Sequence, residues 1–304
     1  MSSILTVSSS PGNEEALDSP MSELNLVSVE RVSIIGQKEF TESYFNTLRP
    51  LVIEDMAKSW PALGKWTPEF LQQEHGSKQV KVYDTSFVEA GKRYMSKLKT
   101  TSLAEYINAV MTTSQDLRMF LYNIKSEIPE LVDDIVFPNL VESLSRNFVF
   151  MFFGAKGSIT QMHFDIDMSH VFHTVILGKK TVYLFPYEQG KNLHRYPFTC
   201  RSYVNIEQPD LERFPRMKEL QGFRVEVKAG DTLYIPAGCW HHFVYDEPGF
   251  AVSLRSSNQT WVGRLHGYYN LLVMSPIDRL MNFVSPRFWF EWKERRALDT
   301  SYLV

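Results

Sequence analysis

The stretch GSITQMHFDIDMSH (157–170) places two histidines and two aspartates within eight positions, 163 to 170. Residues i and i+2 of a strand share a face, so His163 and Asp165 would project together, spaced as two ligands of one ion. An H-x-D pair alone is a weak signal, because a hydrogen-bonded polar pair at a strand end reads the same. His241 adds weight. It lies 78 residues on, just after a Pro-Ala-Gly turn that follows a strand marked by Gly-Asp. Two imidazoles and one carboxylate on one face of an octahedron leave three positions open, the arrangement of non-haem iron oxygenases. Structural zinc wants four closed ligands, usually with cysteine, and neither Cys200 nor Cys239 has a C-x-x-C partner.

The elements that must position these residues follow from pattern and punctuation. From about 25 to 125 short strands mix with helices. RPLVIEDM (49–56) is a β-branched run, and SWPALGKW reads as a loop broken by Pro and Gly. Thr67 and Pro68 are the N-cap and first residue of a helix closed by Gly76. Ser102 with Glu105 forms a capping box before LAEYINAVM, and LRMFLYNI (117–124) reads as a strand. From about 147 to 258 strands dominate. NFVFMFFG reads as a strand buried on both faces. HVFHTVILG, KKTVYLFP, FRVEVKAGDTLYIPAG, HHFVY and FAVSLRSS follow, which suggests a sandwich or barrel. From 261 to 304 the chain is helical: Leu265, Tyr268, Tyr269, Leu272 and Val273 keep helical spacing, and Ser275-Pro276 and Ser285-Pro286 each read as an N-cap followed by proline. RFWFEW carries more aromatic surface than a short terminal helix hides alone. The sequence shows no internal repeat.

Composition narrows the function classes. With 304 residues, 44% hydrophobic and 22% charged, the chain has the make-up of a globular protein able to bury a sizeable core. A net charge of −3 argues against a dedicated nucleic-acid binder. Two cysteines make no disulfide framework, so a cytoplasmic location is expected. The N-terminus has no secretory pattern, no apolar run reaches membrane length, and residues 1–24 read as a disordered tail.

The segments 157–186 and 229–243 resemble the JmjC/cupin-like family of Fe(II)- and 2-oxoglutarate-dependent oxygenases. They are most similar to its small hydroxylases, typified by the asparaginyl hydroxylase of hypoxia-inducible factor. GSITQMHFD, LGKKTVYLFP and AGDTLYIPAGCWHH, with the spacing between them, carry the likeness, and RPLVIEDMAKSWPALGKW matches the family's N-terminal entry. The resemblance implies a mainly β fold, a double-stranded β-helix or jelly roll, with flanking N-terminal and C-terminal helices. It sets a catalytic domain at 25–260 (an α/β part at 25–125 and the jelly-roll core at 126–260), and a C-terminal helical segment at 261–304 through which the template dimerises, hence a homodimer. It implies His163, Asp165 and His241 as iron ligands. Lys180 and Thr160 would hold the distal carboxylate of 2-oxoglutarate, and O2 would be the second co-substrate. The template's pocket tyrosine falls on Phe120 here, so Tyr122, expected on the same side, is the substitute. Arg255, near the template's asparagine, reads equally as a contact to 2-oxoglutarate or substrate and as a structural ion pair. The stretch from Asp165 to Gly178 runs two residues longer than in the template.

Asp167, His170 and His173 read as ordinary strand or loop polar groups, His242 as pointing away from the metal, and Cys239 as a small buried residue. His75, His194 and His266 read as surface or capping histidines. The expected activity is hydroxylation of a C–H bond, with succinate and CO2 as co-products, on a peptide or small molecule. N-demethylation by the same chemistry and a non-catalytic metal-binding cupin are the alternatives. An RNA-modifying hydroxylase is disfavoured by the acidic balance.

Overall fold

Alternating side chains and turn residues convert most of the chain into strands. In the computed structural model, which describes residues 24–84, 97–113 and 115–299, these form two large sheets. The strands are β1 (Asn25–Ser28), β2 (Glu30–Val32), β3 (Leu51–Ile53), β4 (Gln79–Val82), β5 (Lys99–Ser102), β6 (Arg118–Asn123), β7 (Leu144–Gly154) and β8 (Ile159–His163). They continue with β9 (His170–Leu177), β10 (Lys179–Phe185), β11 (Gln221–Lys228), β12 (Thr232–Ile235), β13 (Trp240–Tyr245) and β14 (Gly249–Ser256). One sheet has the order β1-β11-β10-β13-β8 and the other β2-β3-β12-β9-β14-β7-β6, while β4 and β5 form a separate pair. From β7 to β14 the chain alternates between the sheets, except that β10 and β11 are antiparallel neighbours in one of them, which is a jelly roll.

The period-two rule sorts the strand residues into three layers. Val171, Val175, Leu233 and Ala251 of one sheet meet Val182, Leu184, Val225 and Phe243 of the other in the core between them. On the outer face of the larger sheet, Val149, Met151, Phe153, Phe172 and Leu254 pack against the N-terminal helical region. On the outer face of the smaller one, Met162, Phe164, Tyr183, Phe185 and Trp240 pack under the connection that runs from β10 to β11. β7 is therefore not buried on both faces. Val149, Met151 and Phe153 are buried outward, whereas Phe148, Phe150 and Phe152 face inward and are only partly covered, Phe148 being 54% exposed. An unbroken apolar run does not report which face meets a cavity.

The N-terminal region is stitched into both sheets, with β1 parallel to β11 and β2 parallel to β3. Its helices are α1 (Gln37–Phe40), α2 (Pro61–Lys65), α3 (Pro68–His75) and α4 (Leu103–Thr112), and α5 (Ile124–Glu127) follows β6. SWPALGKW is not all loop, because Pro61 starts α2 as a first-turn proline. Thr67 caps α3 by accepting from the N–H of Phe70, and Ser102 with Glu105 closes the capping box of α4. The expected tail lies outside the described residues except for Leu24, which is buried against the outer core.

The C-terminal helices are α6 (Trp261–Tyr269), α7 (Ser275–Val284) and α8 (Pro286–Leu298). Ser275 is not an N-cap. A π-helical turn over Asn270–Met274 joins α6 to α7 without a break, and Ser275 itself is helical at φ −66° and ψ −42°. The wider turn supplies the room that the ring of Pro276 would otherwise take from the preceding carbonyl. At Ser285 the helix does break, with φ −151°, although its side chain makes no capping hydrogen bond.

Candidate metal centre

His163 ends β8 and His241 stands second in β13, and the two are register partners across that antiparallel pair. Asp165 lies past the strand end in the loop to β9, with Phe164 turned outward to pack edge-on against Trp240 and Tyr187. The alternation of side chains thus continues two residues beyond the strand end. One ligand atom from each of His163, Asp165 and His241 lies within 4.8 Å of the other two.

Each imidazole is oriented from behind. His163 Nδ1 hydrogen-bonds the carbonyl of Gln161 at 2.7 Å, and His241 Nδ1 that of Cys239 at 2.9 Å. A ring whose Nδ1–H donates to a carbonyl presents the lone pair of Nε2, the tautomer a metal requires. Burial, reinforced by His241, pushes His163 down to about 3, and burial also lowers His241, so both imidazoles are neutral at physiological pH. Burial alone would raise Asp165, but Arg255, then His241 and His163, hold it at about 2. Arg255 Nη2 donates to Asp165 Oδ1 at 3.0 Å. No hydrogen bond from the described residues falls on Oδ2. Two neutral imidazoles and one ionised carboxylate fit a divalent first-row ion with open positions.

Lys180 opens into the same interior. On β10 the residues Lys180, Val182 and Leu184 pair with Tyr245, Phe243 and His241, so all six share the inward face. Lys180 is 1% exposed, with Nζ 4.3 Å from the Tyr245 ring centroid and 3.1 Å from His173 Nε2. Burial lowers it to about 7 and no carboxylate among the described residues is paired with it. Thr160 joins this face because β8 carries a bulge. Three steps from His163 to Thr160 oppose two from His241 to Phe243, so Thr160, which plain alternation would turn outward, points inward.

Other expected residues are redistributed. Tyr122 is a correction: a bulge between Met119 and Tyr122, with Leu121 at φ 53°, turns Tyr122 to the outer core beside Met151 and Phe153 and away from the barrel interior. Arg255 points inward and donates from its Nη atoms to Asp165, Asp167 and Ser169, which is the ion pair that the sequence left open beside a contact to co-substrate or substrate. Asp167 is more than an ordinary loop group, since it shares that guanidinium. His173 likewise faces the interior, between Lys180 and the Ser253 hydroxyl at 2.8 Å. No sequence signal marks either, because their partners are up to 88 residues away. His170 is structural, hydrogen-bonded to Tyr234 and stacked on Phe45. His242 faces the other side, at 3.1 Å from Glu207. Cys239 is buried and its thiol is pushed up to about 12 by burial. His75 and His194 are buried, not surface; His194 Nδ1 reaches the last-turn carbonyl of Ala297 in α8, and His266 meets the Tyr187 hydroxyl.

A jelly roll that gathers two histidines and a carboxylate, with a buried lysine on the same inward face, has the architecture of a cupin-type protein. Residues 37–259 match the model of the cupin-like domain, and the chain belongs to that JmjC-type family of Fe(II)- and 2-oxoglutarate-dependent oxygenases. It is 26% identical over 230 residues to lysine-specific demethylase 8 of Xenopus tropicalis, covering 71% of this chain and 50% of that protein. It is 26% identical over 258 residues to lysine-specific demethylase JMJ30 of Arabidopsis thaliana, covering 79% and 57%. It is also 26% identical over 246 residues to tRNA wybutosine-synthesizing protein 5 of Mus musculus, covering 74% and 76%. The chain thus spans only half to somewhat over half the length of these two demethylase-named relatives. Among the described residues no helix is long and apolar enough to cross a membrane.

Proposed function

We propose that this protein is an Fe(II)- and 2-oxoglutarate-dependent oxygenase that hydroxylates a C–H bond of a protein side chain, an amino acid or a small metabolite. Succinate and CO2 are the co-products. The observation that carries the reading is the sharing of one interior face by the His163–Asp165–His241 cluster and a buried, carboxylate-free Lys180. Iron, 2-oxoglutarate and O2 supply the oxidation when bound, one oxygen atom going to the substrate and one to succinate.

The residues divide the work. His163, Asp165 and His241 would hold the ion, two neutral imidazoles and one carboxylate being a donor set that suits iron. Lys180 supplies the cation that a carboxylate drawn into a barrel needs, since an unpaired buried charge costs several kcal/mol, and Thr160 adds a hydroxyl donor on the same face.

The names of two relatives support N-demethylation as a second reading, since hydroxylation of a carbon on nitrogen releases that carbon as an aldehyde. The third relative's name points to tRNA, but the net charge of −3 favours a substrate other than nucleic acid. A second copy of this chain is the proposed partner of the C-terminal helices. In support, Trp261, Leu265, Leu272, Leu280 and Phe283 are 60–86% exposed from α6 through the π-helical turn to α7. The two buried free cysteines suit a reducing, cytoplasmic setting.

The test is succinate release from 2-oxoglutarate by purified protein with Fe(II) and ascorbate. Turnover is expected in the wild type and none in His163→Ala or Asp165→Ala. Equal turnover in all three would overturn the assignment.

A further inference from the structure

Asp165 is built into a larger assembly. Arg255 arrives from β14, in the other sheet, with its side chain 12% exposed and its guanidinium 5.4 Å from the Phe150 ring centroid. Its Nη2 donates to Asp165 at 3.0 Å, while Nη1 donates to Ser169 Oγ at 2.9 Å and to Asp167 Oδ1 at 3.3 Å. Asp167 in turn accepts from the Ser169 hydroxyl at 2.9 Å and from its N–H at 3.3 Å. The loop that carries them, the one running two residues longer than in the asparaginyl hydroxylase, is fastened from outside. Asn270 Nδ2 donates to the Ile166 carbonyl at 3.1 Å, and Asn258 Nδ2 to that of Met168 at 3.4 Å. Gly267 of α6 lies so close that a Cβ there would stand 2.6 Å from the Asp167 carbonyl oxygen. Met168 adopts φ 55°, a conformation a non-glycine residue keeps only when its surroundings impose it.

We infer that Asp167, acting through Arg255, is a positioning residue for the metal carboxylate, and that the C-terminal helix α6 is the strut that holds it there. The inference rests on the metal centre proposed above. Its physical basis is charge sharing. Arg255 lies between two carboxylates, so Asp167 takes up part of a positive charge that would otherwise fall wholly on Asp165. With Asp167 replaced by asparagine, the guanidinium would compete with the metal for Asp165 and be free to draw it away from the two histidines. With α6 pushed outward, the loop carrying Asp167 shifts and the same clamp loosens. Loss of such an outer partner costs roughly 10- to 100-fold in metal affinity.

The test is Co(II) titration of the full chain, following both the dissociation constant and the visible ligand-field spectrum of the bound ion. The spectrum reports ligand geometry, which general destabilisation leaves unchanged. Asp167→Asn is expected to weaken Co(II) binding about 10-fold and to alter the spectrum, and Gly267→Ala to do the same in smaller measure. Glu294→Gln, which breaks an α8 contact to Arg213 away from the loop, is expected to change neither. Wild-type affinity and spectrum in Asp167→Asn would overturn the inference, as would a loss in Glu294→Gln equal to that in Gly267→Ala. If the wild type binds no Co(II), or His163→Ala binds it equally well, the metal centre itself falls. If that pair behaves as proposed and only Asp167→Asn is silent, the clamp alone is refuted.

Discussion

His163 and His241 face each other as register partners, with ring centroids 4.2 Å apart, and each donates its Nδ1–H to the carbonyl two residues before it in the chain. The same local device on both sides of one strand pair thus fixes both tautomers. The convergence of the two Nε2 atoms with Asp165 comes from backbone geometry, so it exists before any ion arrives.

A preformed set of this kind ties metal binding to stability. Saturating Mn(II) is expected to raise the Tm of the wild type by several degrees, because about 100 Kd of ligand adds roughly 2.7 kcal/mol. His163→Ala and His241→Ala are expected to show no such rise by calorimetry. An unchanged shift in either variant would mean that the ion binds elsewhere.

Lys180 gives a pH signature of definite sign. Its folded value of about 7 lies below the roughly 10.4 of an exposed lysine. Between these values the unfolded chain holds a proton that the folded protein lacks, so stability rises with pH across that window and the penalty is complete below it. Lys180→Met is therefore expected to raise the Tm of the ligand-free protein by a few degrees at pH 6 and by little at pH 10. The same variant loses any stabilisation by 2-oxoglutarate. Parallel Tm-against-pH curves for the two proteins would contradict the argument.

Thr160 makes a more specific case, because only the bulge in β8 turns it inward. Removing one hydrogen bond to a charged group costs about 1.5–3 kcal/mol, or roughly 10- to 100-fold. Thr160→Val is expected to raise the KM for 2-oxoglutarate by about that factor with kcat little changed, while Thr160→Ser stays near the wild type. Steady-state succinate assays over a range of 2-oxoglutarate decide it, and an unaltered KM in Thr160→Val removes Thr160 from the site.

The exposed stripe from α6 through α7 predicts oligomeric state. Phe283, 86% exposed, and Leu272, 72% exposed, are expected to sit in the contact between two copies. Phe283→Glu with Leu272→Glu should convert a dimer to a monomer in sedimentation equilibrium. A wild type that sediments as a monomer would leave the stripe to another partner.

The sequence by itself determined what depends on short-range chemistry. Thr67-Pro68 and Ser102 with Glu105 start helices because capping groups act within three or four residues. The β-strands from 147 to 256 follow from alternation and from turn residues such as Gly230 and Gly238. His163, Asp165, His241 and Lys180 were legible as candidates through their types, their spacing and the likeness they carry. Tertiary structure decided what depends on register and on convergence across the chain. Single-residue bulges turned Thr160 toward the interior and Tyr122 away from it, and alternation along a strand does not announce where a bulge will shift the register. A π-turn kept Ser275-Pro276 inside one continuous helix. Arg255 took its role only when β14 brought it against a loop 86 to 90 residues earlier, because an arginine on a strand does not reveal which carboxylate will compete for it. Periodicity shows which residues share an element; only the packed register shows which of them meet.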